Sequence, residues 1–272
     1  MTKRAFIWDL DGTLLDSYDA ILAGLEETYA SYQLPFDRAR IKDYILKHSV
    51  QDLLVAVAEE HQLNVTDLNH RRAESLAEKN AQVLLMEGVR DVLSWGKDAG
   101  IEQFVYTHKG ENAFVILRDL GLESFFTEIL TSQSGFARKP DPEAAMYLME
   151  KYGLEPEKTY YIGDRSLDID FARNSQIQSI NFLTSDYQGN HQMNTLLDIP
   201  GILNAEKNLS LRNVRYNKSI NKDLLTLFRK ILKLFFFIII SLRVAKSGGF
   251  FCAKKQCKLF SLQEDMKYFI ID

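Results

Sequence analysis

Residues 5–14 read Ala-Phe-Ile-Trp-Asp-Leu-Asp-Gly-Thr-Leu, an apolar, strand-like run that ends on two aspartates one residue apart and then breaks at a glycine. An open parallel sheet places its ligands just beyond the carboxyl ends of its strands. Asp9, at the strand tip, and Asp11 are therefore expected at the mouth of a site. Gly12 permits a sharp turn there and Thr13 can close it. Two carboxylates this close repel, and one holds a proton unless a cation sits nearby or one of them serves as an acid.

The chain that follows decides what kind of sheet this strand joins. From Ser17 the pattern turns helical, with Ile21, Leu22, Leu25 and Tyr29 on one face. Further helices are predicted at about 37–47, 49–61 and 66–83, with Asn64, Thr66 and Asp67 as cap residues. Gly88 then opens an alternation of helices at about 88–99, 110–120, 142–152 and 166–175 with strands at about 101–107, 128–131, 159–163 and 178–183. Alternation at these lengths predicts an α/β fold, a Rossmann-like parallel sheet with helices on both faces. Residues 1–16 and 86–203 would form this core, residues 17–85 an inserted helical cap, and residues 204–272 a tail of different character.

Charge draws the same boundary. The 272 residues carry a formal net charge of −4, but residues 1–205 hold 19 Lys+Arg against 32 Asp+Glu, a net −13, and residues 206–272 hold 14 against 5, a net +9. No nucleic-acid partner is expected for so acidic a core. Both cysteines, Cys252 and Cys257, lie in the tail, so the acidic part forms no disulfide and suits a reducing, cytoplasmic setting. Met1-Thr2-Lys3-Arg4 leads straight into core-like sequence, which predicts no secretory leader. The five histidines show no HxxxH or HxH spacing, which gives no support to a zinc site. His108 and His48 are read as surface or hydrogen-bonding side chains.

Asp-Leu-Asp-Gly-Thr-Leu at 9–14 resembles the first signature of the haloacid dehalogenase superfamily of aspartate-nucleophile phosphatases, and three more signatures follow in order. Phe104-Val105-Tyr106-Thr107-His108 resembles the second, an apolar strand ending in a hydroxyl. Arg138-Lys139-Pro140-Asp141-Pro142 resembles the third, and Tyr160-Tyr161-Ile162-Gly163-Asp164-Arg165-Ser166-Leu167-Asp168 the fourth. The resemblance covers about residues 3–203, and the family's helical cap is inserted where the helical segment 17–85 stands.

The resemblance implies roles residue by residue. Asp9 would be the nucleophile, forming an aspartyl-phosphate, and Asp11 the acid that protonates the leaving alkoxide and then the base that activates water. Lys139 would neutralise charge, and Thr107 would offer its hydroxyl and nearby amides to phosphate oxygens. Mg²⁺, which prefers oxygen ligands, would be held by the Asp9 and Asp164 carboxylates and the Asp11 backbone carbonyl. Asp168 would steady Lys139 or a metal-bound water, with Thr13 in support. In the cap, the turn Lys47-His48-Ser49 would meet a second anionic or hydroxylated end of a small phosphorylated metabolite.

Within the superfamily, Asp11 argues against dehalogenase and phosphonatase activity, because both lack that second aspartate. Gly163-Asp164 looks more like the phosphoglycolate phosphatase-like branch than the mutases, which usually show adjacent acidic residues there. A phosphomutase of the β-phosphoglucomutase type, or a binding module on a retired hydrolase fold, remains the alternative. A monomer or homodimer is expected.

The tail lies outside the resemblance. Residues 224–242 are its most apolar part, but their uninterrupted run is only Leu234 to Ile240, short of the ~20 residues that span a bilayer. Three readings stay open: an interfacial amphipathic anchor flanked by Arg229, Lys230, Lys233, Arg243 and Lys246, a poorly ordered appendage, or the product of an altered reading frame. Cys252 and Cys257 without partner histidines are a weak metal signal.

Overall fold

The computed structural model describes residues 4–79 and 83–205 and, in the tail, residues 224, 226, 227 and 229–231. Residues 1–205 form one compact unit and residues 206–272 a second. Apart from those six helical residues, the expectations for the tail fall outside the described residues. Among the described residues no helix is long and apolar enough to cross a membrane.

The apolar run at the start becomes strand β1 (Ala5–Trp8), buried along its whole length. It lies in the middle of a six-stranded parallel sheet with β4 (Glu102–Tyr106), β5 (Glu128–Leu130), β6 (Thr159–Gly163), β7 (Gln178–Asn181) and β8 (Asn190–Gln192), in the order β5-β4-β1-β6-β7-β8. Successive side chains of a strand point to opposite faces. Phe6 and Trp8 accordingly join one apolar layer with Val105, Tyr160 and Ile162, whereas Ala5 and Ile7 join another with Phe104, Tyr106 and Tyr161. Helices α5 (Val89–Asp98) and α6 (Asn112–Asp119) bring Val92, Leu93, Ile116 and Leu117 to the first layer. Helices α7 (Glu143–Tyr152) and α8 (Ser166–Asn174) bring Ala144, Leu148 and Phe171 to the second. A strand buried on both sides has no solvent face to alternate toward, which is why β1 reads as a continuous apolar run.

Between β1 and the rest of the sheet stand four helices, α1 (Tyr18–Ser31), α2 (Arg38–Lys47), α3 (Val50–His61) and α4 (Val65–Lys79). They hold an apolar cluster of their own around Leu22, Leu25, Ile41, Ile45, Leu54 and Leu68. Local chemistry sets their ends. The Asp37 carboxylate accepts from the Ala39 and Arg40 amides, and Ser49 and Asp52 cap α3 reciprocally. The α2–α3 turn falls at His48-Ser49, where the sequence places it.

Three local readings are corrected. Helix α4 is described over Val65–Lys79 and Val83 lies outside it, where the periodicity suggested a helix reaching 83, and Leu84–Leu85 form a short strand, β3, antiparallel to β2 (Leu15–Asp16). The segments entering and leaving the four helices thus pair with each other, which closes the insert at its base. The strand read at 178–183 ends at Asn181, and β8 was not foreseen. Its three residues, Asn-His-Gln, carry no apolar signal.

Candidate active site

The carboxyl ends of β1, β4 and β6 converge. The Asp9 amide donates to the Ile162 carbonyl at 2.9 Å, which fixes the tip of β1 against β6. Beyond it Gly12 takes φ +84°, and a Cβ there would run into the Asp164 carboxylate and the Tyr18 ring. The turn can approach Asp164 only as glycine. Thr107 is buried at the end of β4, its amide on the Leu130 carbonyl and its hydroxyl accepting from the Lys109 amide at 3.1 Å. Lys139 follows β5 on a loop, joined to Pro140 by a cis peptide bond.

Lys139 is the hub. Its ammonium donates to Asp9 Oδ1 at 2.8 Å, Asp168 Oδ1 at 2.7 Å and the Tyr161 hydroxyl at 2.8 Å, so its three protons are all committed. Tyr161 donates onward to the Tyr106 carbonyl at 2.8 Å. Burial opposes the charge on Lys139, but the Asp168 and Asp9 carboxylates outweigh it and hold its pKa above the usual lysine value. Asp168 turns its other oxygen to the Asp164 and Arg165 amides, at 3.2 and 3.0 Å. A Cβ at Gly163 would strike the same carboxyl group.

Asp9, Asp164 and Asp168 present carboxylate oxygens within 4.8 Å of one another. Burial, with Asp168 close by, lifts Asp9 to about 6 even against Lys139, and burial with the Asp168 and Asp9 charges lifts Asp164 to about 7. Raised values on two of three clustered carboxylates mark negative charge that the protein does not itself balance. A hard divalent cation with oxygen ligands would supply that balance. With both Asp168 oxygens already engaged, Asp9 and Asp164 have the freer oxygens, although Tyr18 donates to Asp164 Oδ2 at 2.7 Å. Thr13 lies 3.5 Å from Asp164 Oδ1.

Asp11 lives in a different setting from Asp9. Its Oδ1 takes the Lys109 ammonium at 2.9 Å and the Ser17 hydroxyl at 2.6 Å. Burial pushes its pKa up, but Lys109 and Ser17 prevail and hold it below the usual carboxylate value. Asp11 opens on a cavity of about 460 Å³ walled by His108, Lys109 and Arg165 from the core and by Tyr18, Ser49, Asn69 and Arg72 from the four helices. His108 accepts from the Lys139 amide through Nε2 at 2.8 Å. Burial, with the charges of Lys139, Arg138 and Arg165, drives it down to about 2, so it is a neutral, structural imidazole.

The structure brings together Asp9, Asp11, Thr107, Lys139, Asp164, Asp168 and Thr13, but it does not bring all three turn residues to the cavity. Ser49 lines it. Lys47 is exposed and paired with Asp43 at 2.9 Å, and His48 is exposed and packs on Tyr44 at 4.6 Å between ring centroids. What His48 contributes is its backbone carbonyl, which accepts from Arg165 at 3.2 Å. Sequence reasoning missed Lys109, Ser17, Tyr18, Tyr161, Arg165 and Arg72. Arg72 had a signal: it stands between Leu68 and Leu76 at spacings of four, on the stripe that α4 buries.

Residues 6–182 match the haloacid dehalogenase-like hydrolase family. A phosphoglycolate phosphatase of Pseudomonas putida is 28% identical over 187 residues, which span 65% of this chain and 68% of that protein. Pyrophosphatase PpaX of Oceanobacillus iheyensis is 28% identical over 184 residues, 66% of this chain and 83% of its own. The solved structure of a subfamily IA haloacid dehalogenase-superfamily hydrolase from Geobacter sulfurreducens superposes with a TM-score of 0.59 at 20% identity, covering 74% of this chain and 96% of that one. At that identity the likeness establishes the shared fold.

Proposed function

The chain belongs to the haloacid dehalogenase-like hydrolase family and is a phosphoric monoester hydrolase, and on that premise we propose that it cleaves a small phosphorylated metabolite through an aspartyl-phosphate on Asp9, with Mg²⁺ as its cation. One observation carries this reading. The Asp9 carboxylate at the tip of β1 meets the Lys139 ammonium at 2.8 Å and presents an oxygen within 4.8 Å of Asp164 and Asp168, while Asp11, two residues on, is paired separately with Lys109 and opens on the cavity. Two carboxylates so placed can divide nucleophilic and acid–base work between them.

In the proposed reaction an Asp9 oxygen attacks phosphorus, the bond from phosphorus to the leaving oxygen breaks, and Asp11 gives that oxygen its proton. Water then attacks the phosphorus, Asp11 takes the water proton, and the bond to Asp9 breaks to release inorganic phosphate. Lys139 and the Thr107 hydroxyl face the phosphate oxygens, and Asp168 keeps Lys139 pointed at Asp9. Mg²⁺, held by the Asp9 and Asp164 carboxylates with the Asp11 carbonyl, would neutralise charge on the transferring group. At rest Asp11 is ionised, the state needed for the second half. For the first half it must gain a proton, which becomes easier as an incoming phosphate draws Lys109 away from it. The helices α1–α4 serve as a cap that keeps bulk water from the cavity.

The names of the relatives make 2-phosphoglycolate and pyrophosphate the first compounds to try. The test is phosphate release from a panel of esters by the full chain, with and without Mg²⁺, beside Asp9→Asn. Magnesium-dependent release abolished in Asp9→Asn is expected; release that survives in Asp9→Asn would remove the aspartyl-phosphate.

A further inference from the structure

The cavity carries positive charge that the proposed reaction does not use. Arg72 comes from α4 in the cap, Arg138 from the loop that carries Lys139, and both line the cavity. Arg72 Nε is buried with no hydrogen-bond partner. The acid whose charge offsets Arg72, Asp11, is already bonded to Lys109 and Ser17. The acid that offsets Arg138, Asp52, takes the Ser49 amide and hydroxyl on its Oδ2. The two guanidiniums oppose each other's charge as well.

An arginine in the apolar stripe of a helix, with a buried Nε left unbonded, costs the fold stability unless an anion completes it. The transferred phosphate does not meet that need, because Asp9, Thr107 and Lys139 place it on the core side. Arg72 stands on the cap side, where the leaving group must lie. Guanidinium forks match carboxylate and phosphate oxygens in pairs, and Asn69 and Gln51 line the same cavity.

We propose that Arg72 and Arg138 form a second anion subsite, so that the substrate is a small phosphate compound whose leaving group carries its own carboxylate or phosphate. This deepens the phosphatase reading and rests on it. It also moves the contact with the second end of the substrate from Lys47 and His48, which face solvent, to Arg72 across the cavity.

The test compares kcat/KM for 2-phosphoglycolate with that for 2-hydroxyethyl phosphate, which replaces the carboxylate by a neutral hydroxymethyl group. The full chain with Mg²⁺ is measured beside Arg72→Gln, Arg138→Gln and, as a solvent-side control, Lys47→Ala. A charge-assisted hydrogen bond lost from a buried site amounts to about tenfold or more. The preference ratio should fall by at least that in Arg72→Gln, fall less in Arg138→Gln at the exposed rim, and hold in Lys47→Ala. A ratio unchanged in Arg72→Gln overturns the subsite. Pyrophosphate as a third substrate tells whether phosphate replaces carboxylate as the second anion.

Binding separates this proposal from the reaction. Calorimetric titration of 2-phosphoglycolate into Asp9→Asn should lose about tenfold in affinity when Arg72→Gln is added. Equal affinities overturn the subsite whether or not any ester turns over. A clear loss together with no turnover of any ester would keep the subsite and discard the phosphatase.

Discussion

Removal of the divalent cation should make the stability of this protein fall steeply with pH, and the three-carboxylate cluster sets by how much. In the metal-free protein Asp9 sits at about 6 and Asp164 at about 7, against 3.8 for an unperturbed aspartate. A carboxylate whose folded pKa lies above its unfolded one favours the fold while protonated, and that advantage disappears as pH rises through the folded value. Between pH 5 and 8 the loss is on the order of 1 kcal/mol from Asp9 and 3 kcal/mol from Asp164, about 4 kcal/mol together. For a unit of this size, that corresponds to a fall in Tm on the order of 10 °C. On the proposed assignment Mg²⁺ would bind the ionised pair, so its stabilisation should be small at pH 5 and largest at pH 8, where saturation at about 100 times Kd adds roughly 2.7 kcal/mol. Thermal and urea melts at pH 5, 6, 7 and 8, in chelator or in Mg²⁺, measure the difference directly. A Mg²⁺ increment that is flat across this range, or greatest at pH 5, would refute the assignment of the cation to these carboxylates. Asp164→Asn should remove most of the pH dependence, because Asp164 contributes the larger part.

Two further substitutions probe the turn that carries both aspartates. Lys109→Met removes the ion pair that holds Asp11 down, so the limb of the pH–rate profile governed by Asp11 should move to higher pH; an unmoved limb would mean that Asp11 is not the titrating acid–base group. Gly12→Ala puts a methyl group against the Asp164 carboxylate and the Tyr18 ring at φ +84°, which should cost about 2 kcal/mol or more from backbone strain and overlap and should weaken Mg²⁺ binding. Urea melts within about 0.5 kcal/mol of wild type would show that the turn does not close on Asp164 as described.

The strand tips were legible because each signature is local: an apolar run, a polar tip and a turn residue within about ten positions. Asp9 followed from the rule that a parallel sheet collects its ligands at one end, whereas Thr107 and Asp164 were singled out by the resemblance of their strands to the family's signatures. What surrounds Asp11 was not local. Lys109 meets Asp11 because β1 and β4 are neighbours in register, with Trp8 opposite Val105, and that pairing is a property of strand order, which helix and strand periodicity do not report. Tyr161 reaches Lys139 for the same reason, through the pairing of β6 with β1. The cap was a different matter, because the periodicity held more than was read from it. Ile41 and Ile45 define the buried stripe of α2, and Asp43 and Lys47 lie on its other side, so Lys47 was placed toward solvent by its own helix. Leu68, Arg72 and Leu76 share the stripe of α4, so Arg72 was placed inward by the same rule. A charged residue in an apolar stripe is the stronger pointer of the two, since a lysine on a turn costs nothing to leave in water, whereas a buried guanidinium has to be met by something.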